Sequence, residues 1–250
     1  MLSKYSFAHK YDEEFFDLHE VPNRLQADVY ADFLKNFVGF VSPRFRIPKS
    51  TTVAIGKSLY ASMNDAARTY HSPVYILAQF SWAKKRMVAY PPTEQLAIWF
   101  HKAIYNPTAK FGVNEQESAR LMSALLSHWL QPSEISHIQA SIEDCRKTTD
   151  ICVSRNQQVI DLDLSVFTWD DISRKSLIKA FIKEQSRVYC MMAIKENRKA
   201  FLEKLIKRDP FFHSNWFSSK TYNRTAIDNV KKELRELNDT YRLEGTEMAT

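Results

Sequence analysis

The sequence predicts an all-α protein, a single-domain helical bundle of about eight to ten helices over residues 1–250. Three observations predict it: apolar residues recur at spacings of three and four, cap patterns precede several apolar runs, and glycine is scarce. Only 4 glycines occur in 250 residues, against a usual share of about 7%. Strand-rich and dinucleotide-binding folds lean on glycine for left-handed turns and phosphate loops, so both are poor fits. At 44% hydrophobic and 26% charged residues, the chain has the composition of a folded protein rather than a disordered one.

Each element has its own signal. Residues 22–39 place Leu25, Val29, Phe33 and Phe37 at successive spacings of four, one face of a helix. Pro43, Pro48 and Gly56 then predict a loop over 40–56. Helices are expected over 57–69, 71–88 and 93–106, the last opened by Pro92 and Thr93. Asn114 with Glu117 reads as a capping pair for a helix whose stripe continues through Ala119, Met122, Leu126 and Trp129. Another helix is expected over 132–147. Thr168 and Asp171 read as a cap before the apolar residues Ile172, Leu177, Ala180 and Phe181. The last helices are expected over 188–208 and 219–240, separated by Pro210 and the aromatic cluster Phe211, Phe212, Trp216 and Phe217, which is expected in the core. Segment 158–167 (QVIDLDLSVF) alternates apolar and polar residues and also fits a strand. The tail 243–250 is polar and expected to fray.

Charge and cysteine usage bound the function. Residues 174–250 hold 17 basic and 10 acidic side chains, whereas residues 1–173 hold 18 and 19. The basic half suits an anionic partner. Nucleic acid is not expected, because the chain has no basic run, RNA-binding box or Cys/His finger spacing. Cys145, Cys152 and Cys190 match no paired pattern, which suits free thiols in a reducing compartment. No membrane span is expected, because no stretch approaches the roughly 18 apolar residues needed. The charged segment Met1–Phe16 lacks the apolar region of a signal peptide, so the expected location is cytoplasmic.

Three places carry chemistry. His101 falls four residues after Ala97 and three before Ile104, within or beside an apolar stripe. It reads as a buried imidazole, either satisfied by one or two hydrogen bonds or acting as a ligand. His71 in RTYHSPVYIL has the same two readings. Asp161 and Asp163 read as turn or cap residues or as a carboxylate pair.

The order of RTYHSPVYIL, AIWFHKAIYNPT, NEQESARL, VIDLDLSVF, LIKRDPFF and NVKKELREL resembles the HD-domain metal-dependent phosphohydrolase superfamily. Within it, the match is to the branch of small, mostly bacterial predicted phosphohydrolases. The resemblance covers about residues 57–240, leaving 1–56 as N-terminal helices and a loop. It implies an all-α bundle in which histidines and aspartates hold divalent metal. The metal positions it implies are His71, His101 and Asp163, with Asp161 as the alternative to Asp163. One Mn, Fe, Zn or Mg ion suits such a set and would supply hydroxide for attack on phosphorus. Arg68, Lys102 and Arg208 are the implied phosphate-binding residues, and Glu115 and Lys102 the implied catalytic ones.

The chain departs from that pattern where it matters most. Lys102 stands where the family has the aspartate of its His-Asp pair, placing a cation where a metal's anionic ligand belongs. Tyr75 replaces a histidine, Asn106 an aspartate, and Asn223 and Ile227 a glutamate and an arginine; no histidine lies between His137 and His213. The leading expectation is therefore a diverged phosphohydrolase-like protein with impaired or lost metal-dependent catalysis. Such a protein would bind a phosphorylated small molecule, a nucleotide, a protein partner or a second copy. The alternative is an active mononuclear phosphohydrolase acting on a nucleotide or other phosphoester.

Overall fold

The stripe of Val29, Phe33 and Phe37 folds as a helix, α1 (Asn23–Phe45), in the computed structural model, which describes residues 23–86, 88, 90–148, 156–217 and 219–247. Pro43 does not stop α1, since in a last turn its missing N–H costs only one ladder bond. Pro48 caps the start of α2 (Lys49–Met63), where a fixed φ is already helical. The loop expected over 40–56 thus shrinks to residues 46–48, with Arg46 in the left-handed region at φ 55°. Gly56 lies inside α2 and lets it approach α1: a Cβ there would fall 2.9 Å from Phe37 Cδ1 and 3.0 Å from Leu34 Cδ2.

α2 ends at Met63, short of the expected 69, and residues 64–72 form a loop that carries Arg68 and His71. Pro73 opens α3 (Pro73–Lys85), in which 10 of 13 residues are buried. A helix apolar on all sides belongs at the centre of a bundle. α4 (Pro92–Phe100) packs against α1, α6 (Pro132–Asp144) and α7 (Gln157–Leu164). It stops well before the expected 106, because Pro107 bars a helical Asn106 and the chain turns at His101.

α5 (Val113–Leu126) starts one residue before Asn114, with Gly112 at its N-cap and at φ 81°. The Asn114 side chain instead clasps Asn106, accepting its N–H at 2.8 Å and donating to its carbonyl at 3.0 Å. Trp129 falls beyond the helix and is 41% exposed, so it leaves the expected stripe. The 158–167 segment is helical: α7 runs into a 3₁₀ turn at Ser165–Thr168. Its apparent alternation arises because α7 buries Val159, Ile160, Asp161, Leu162 and Leu164 on several faces at once.

Asp170, not Thr168, caps α8 (Asp171–Gln185), its Oδ1 accepting the Ser173 N–H at 2.9 Å. α9 (Met191–Leu205) and α10 (Lys220–Glu247) complete the bundle. α10 extends through residues 243–247, where fraying was expected; Arg242, Leu243 and Glu244 are good helix formers. The all-α prediction holds: the described residues contain ten α-helices and no strand. No described helix is long and apolar enough to cross a membrane. Phe211, Phe212 and Phe217 are buried as expected, with Phe212 stacked on Phe217 at 5.0 Å. Cys145 and Cys190 are free thiols, and Cys152 lies outside the described residues.

Candidate functional site

The end of α4 sets the site. Carbonyls beyond a helix C-terminus lack ladder partners, and here the Arg68 guanidinium supplies them. It donates to the carbonyls of Ser62 at 2.7 Å, Ala103 at 2.8 Å and Lys102. Burial lowers the Arg68 pKa to about 10, with Glu184, Asp65 and Tyr105 opposing. Arg68 therefore fastens the 62–68 loop to the turn that presents His101 and Lys102. Three of its N–H groups are spent on backbone carbonyls, its buried Nε has no partner among the described residues, and it does not line the cleft described below.

Lys102 and Asp163 meet inside that turn, with Lys102 Nζ 3.0 Å from Asp163 Oδ2. Three further groups converge on Oδ1. Tyr75 donates its hydroxyl at 2.6 Å, His101 Nε2 lies at 3.3 Å, and Gln79 Nε2 donates at 3.4 Å. Tyr75 and Gln79 share a face of α3 at a spacing of four, and both donate to this carboxylate. Nδ1 of His101 donates to the Ile98 carbonyl at 2.7 Å. Burial alone would raise the Asp163 pKa; the Lys102 charge, then His101 and Tyr75, outweigh it and hold the carboxyl well below its ordinary range. Burial disfavours the Lys102 ammonium, but Asp163, with help from Cys145, Glu115 and Tyr70, raises its pKa above the ordinary lysine value.

His71 sits beside this pair on the 64–72 loop. Its Nδ1–H donates to Glu184 Oε1 at 2.5 Å, while the other Glu184 oxygen accepts the backbone N–H groups of Tyr70 and His71 at 2.9 and 3.0 Å. Tyr105 stacks on the imidazole, centroids 3.6 Å apart, and accepts from Gln185 Nε2 at 2.8 Å. Burial lowers the His71 pKa, with Lys102 and Arg68 adding to it and Glu184 opposing.

His71, Lys102, Glu115 and Asp163 line one cleft of about 510 Å³, the size of small-molecule pockets. Tyr70, Tyr105, Phe111, Phe181 and Phe201 form its aromatic walls, and Arg146, Arg198 and Lys204 add positive charge. Phe111 is 85% exposed at this cleft, while Cys145 is buried in its wall. Burial pushes the Cys145 thiol far up, so it is no nucleophile. Arg198 lies 5.3 to 5.6 Å from the centroids of Phe167, Phe181 and Phe201, and its Nε donates to Glu233 at 2.7 Å.

Asp161 and Arg208 stand apart from the cleft. Asp161 accepts from Gln157 Nε2 at 2.8 Å and from the backbone N–H groups of His213 and Ser214 at 2.9 and 2.6 Å. Arg208 lies 3.7 Å from Asp161 and donates to the carbonyls of Phe211 and Thr148 at 3.1 and 2.8 Å. Both anchor the 208–214 segment, and the structure places neither Arg208, read as phosphate-binding, nor Asp161, read as an alternative metal ligand, in the cleft. Sequence reading missed Glu184, Tyr105, Arg146, Arg198 and Lys204. A stripe of Asn197, Phe201 and Lys204 along α9, at spacings of four and three, was the available signal.

The residues present do not fit the metal that the family resemblance implies. Both oxygens of Asp163 are engaged, one by an ammonium, so that although Glu184 on Nδ1 leaves His71 Nε2 free, the anionic ligand of such a set is already neutralised. Two unit charges about 4 Å apart repel by roughly 4 kcal/mol at an effective dielectric near 20, and a divalent ion by about twice that. Among the described residues no three His, Cys, Asp or Glu side chains could together hold a metal ion. What the arrangement offers is a fixed, desolvated positive charge beneath an aromatic cleft. No family model, curated protein or solved structure matches this chain.

Proposed function

We propose that this protein is a diverged phosphohydrolase-like bundle that binds a small phosphorylated molecule in the Lys102 cleft without a metal ion. The observation that carries this reading is the Lys102–Asp163 contact at 3.0 Å inside a cleft also lined by Arg146 and Lys204. An ammonium has three donors, and Asp163 engages only part of that capacity. The remainder, with the two cations of the wall, suits the oxygens of a phosphate monoester. Tyr70, Tyr105 and Phe111 suit the organic part of the ligand. Glu115 takes the role of a charge facing Lys102, so the metal-supplied hydroxide of the family mechanism has no part in this reading.

The test uses 4-nitrophenyl phosphate, which reports binding and turnover together. With EDTA present, the chain is expected to bind it, Lys204→Glu and Arg146→Glu each weakening Kd by about tenfold, or ~1.4 kcal/mol. Affinity should fall as salt rises, since the two wall charges are partly exposed. No binding in EDTA, or release of 4-nitrophenol on adding manganese, would overturn the proposal; the second result would establish the metal-dependent enzyme instead.

A further inference from the structure

A second groove, sharing no lining residue with the Lys102 cleft, lies between α1, α3 and α4. Its volume is about 660 Å³, within the range of small-molecule sites. Phe40, Phe80 and Trp99 contribute apolar faces, with Phe80 and Trp99 centroids 4.7 Å apart. Lys35, Arg44 and Lys84 bring three positive charges, and no acid is found among the described lining residues. None of these three cations has an ion-pair partner among the described residues. Trp99 is 1% exposed, and its buried indole N–H has no acceptor among the described residues.

Gly39 makes the groove open on the α1 side. It stands in a helix, where glycine is the least favoured residue after proline. Yet packing does not require it: a Cβ built there meets no heavy atom within 4 Å. Any larger side chain at this position would enter the groove rather than clash with the fold.

From this combination we infer that the groove is a second ligand site, for a flat aromatic molecule carrying at least two negative charges. Cations from two of the groove's helices select the charge, and the rings of Phe40 and Phe80 select an aromatic body. A nucleoside monophosphate and an aromatic dicarboxylate share this chemistry.

Calorimetric titration with AMP and with naphthalene-2,6-dicarboxylate separates the two sources, and succinate serves as the ring-free control. At least one aromatic dianion is expected to bind about tenfold more tightly than succinate. Gly39→Leu, which fills the groove while improving helix propensity, should weaken that binding by about tenfold or more, as should Lys35→Glu. Lys204→Glu, in the other cleft, should leave binding of naphthalene-2,6-dicarboxylate unchanged and, with AMP, should weaken only the component that belongs to the Lys102 cleft. Circular dichroism of Gly39→Leu confirms folding, and Lys35→Glu, an exposed change, tests the charge independently of it. The inference is overturned by absence of binding, by equal binding of succinate, or by binding that responds to Lys204→Glu and not to the groove variants. Loss of cleft binding alone leaves this groove's signal intact, so the two sites fail separately.

Discussion

Lys102→Met is expected to lower unfolding stability by about 3 kcal/mol, the usual scale for removing one partner of a buried ion pair. The substitution leaves Asp163, 11% exposed in its side chain, without its cation. Tyr75, His101 and Gln79 still reach Oδ1 but bring no fixed charge equal to the ammonium. The double variant Lys102→Met with Asp163→Leu should recover most of the loss, because burying neither charge is close to neutral against burying both. The pH dependence has a definite sign. Asp163 titrates in the folded chain well below its ordinary value of 3.8, so the unfolded chain takes up the proton first on acidification. Its contribution is complete above that value and disappears as pH falls below it. Urea denaturation of parent and Lys102→Met should therefore show a wide gap at pH 7 that narrows below about pH 4. Equal midpoints at pH 7 would mean that the pair contributes nothing.

Asp161→Ala is expected to cost about as much or more, roughly 3 to 5 kcal/mol. The carboxylate is completely buried, and its loss strips acceptors from Gln157, His213 and Ser214 together while leaving Arg208 without its counter-charge. Asp161→Asn should be milder, since the amide oxygen still accepts from the two backbone N–H groups. Here the pH sign reverses. Burial raises the folded pKa of Asp161, its donors and Arg208 opposing, so the folded chain protonates first and this group favours folding as pH falls toward 3.8. Thermal unfolding checks the cost, and 4-nitrophenyl phosphate binding by Asp161→Asn should match the parent. Loss of binding in a folded Asp161→Asn would place Asp161 in the ligand site after all.

Helical class was legible from apolar spacing, because a bundle core needs a stripe on nearly every helix. Boundaries were less so. Pro43 and Pro48 read as loop formers, but at helix ends a proline costs little, and α1 and α2 run nearly up to one another. The alternation over 158–167 misled because α7 is buried on several sides, which erases the single stripe that marks a surface helix. At the site, the order of segments brought His71, Lys102, Glu115 and Asp163 into one list, and they line one cleft. Arg68 and Arg208 were read as phosphate ligands from the segments that carry the resemblance. A sequence gives an arginine's charge without its contacts, and here backbone carbonyls hold both. Glu184 was invisible for a related reason: nothing local in α8 tells which face meets a loop more than 100 residues earlier in the chain.

The central claim is that Lys102 occupies Asp163 in place of a metal ion. Elemental analysis of the chain purified without chelator or metal-affinity resin, beside His101→Ala and Lys102→Asp, tests it most directly. The parent is expected to carry no stoichiometric manganese, iron, zinc or magnesium, and only Lys102→Asp to gain metal. Near-stoichiometric metal in the parent that disappears in His101→Ala would contradict it, because the lysine would then have displaced nothing.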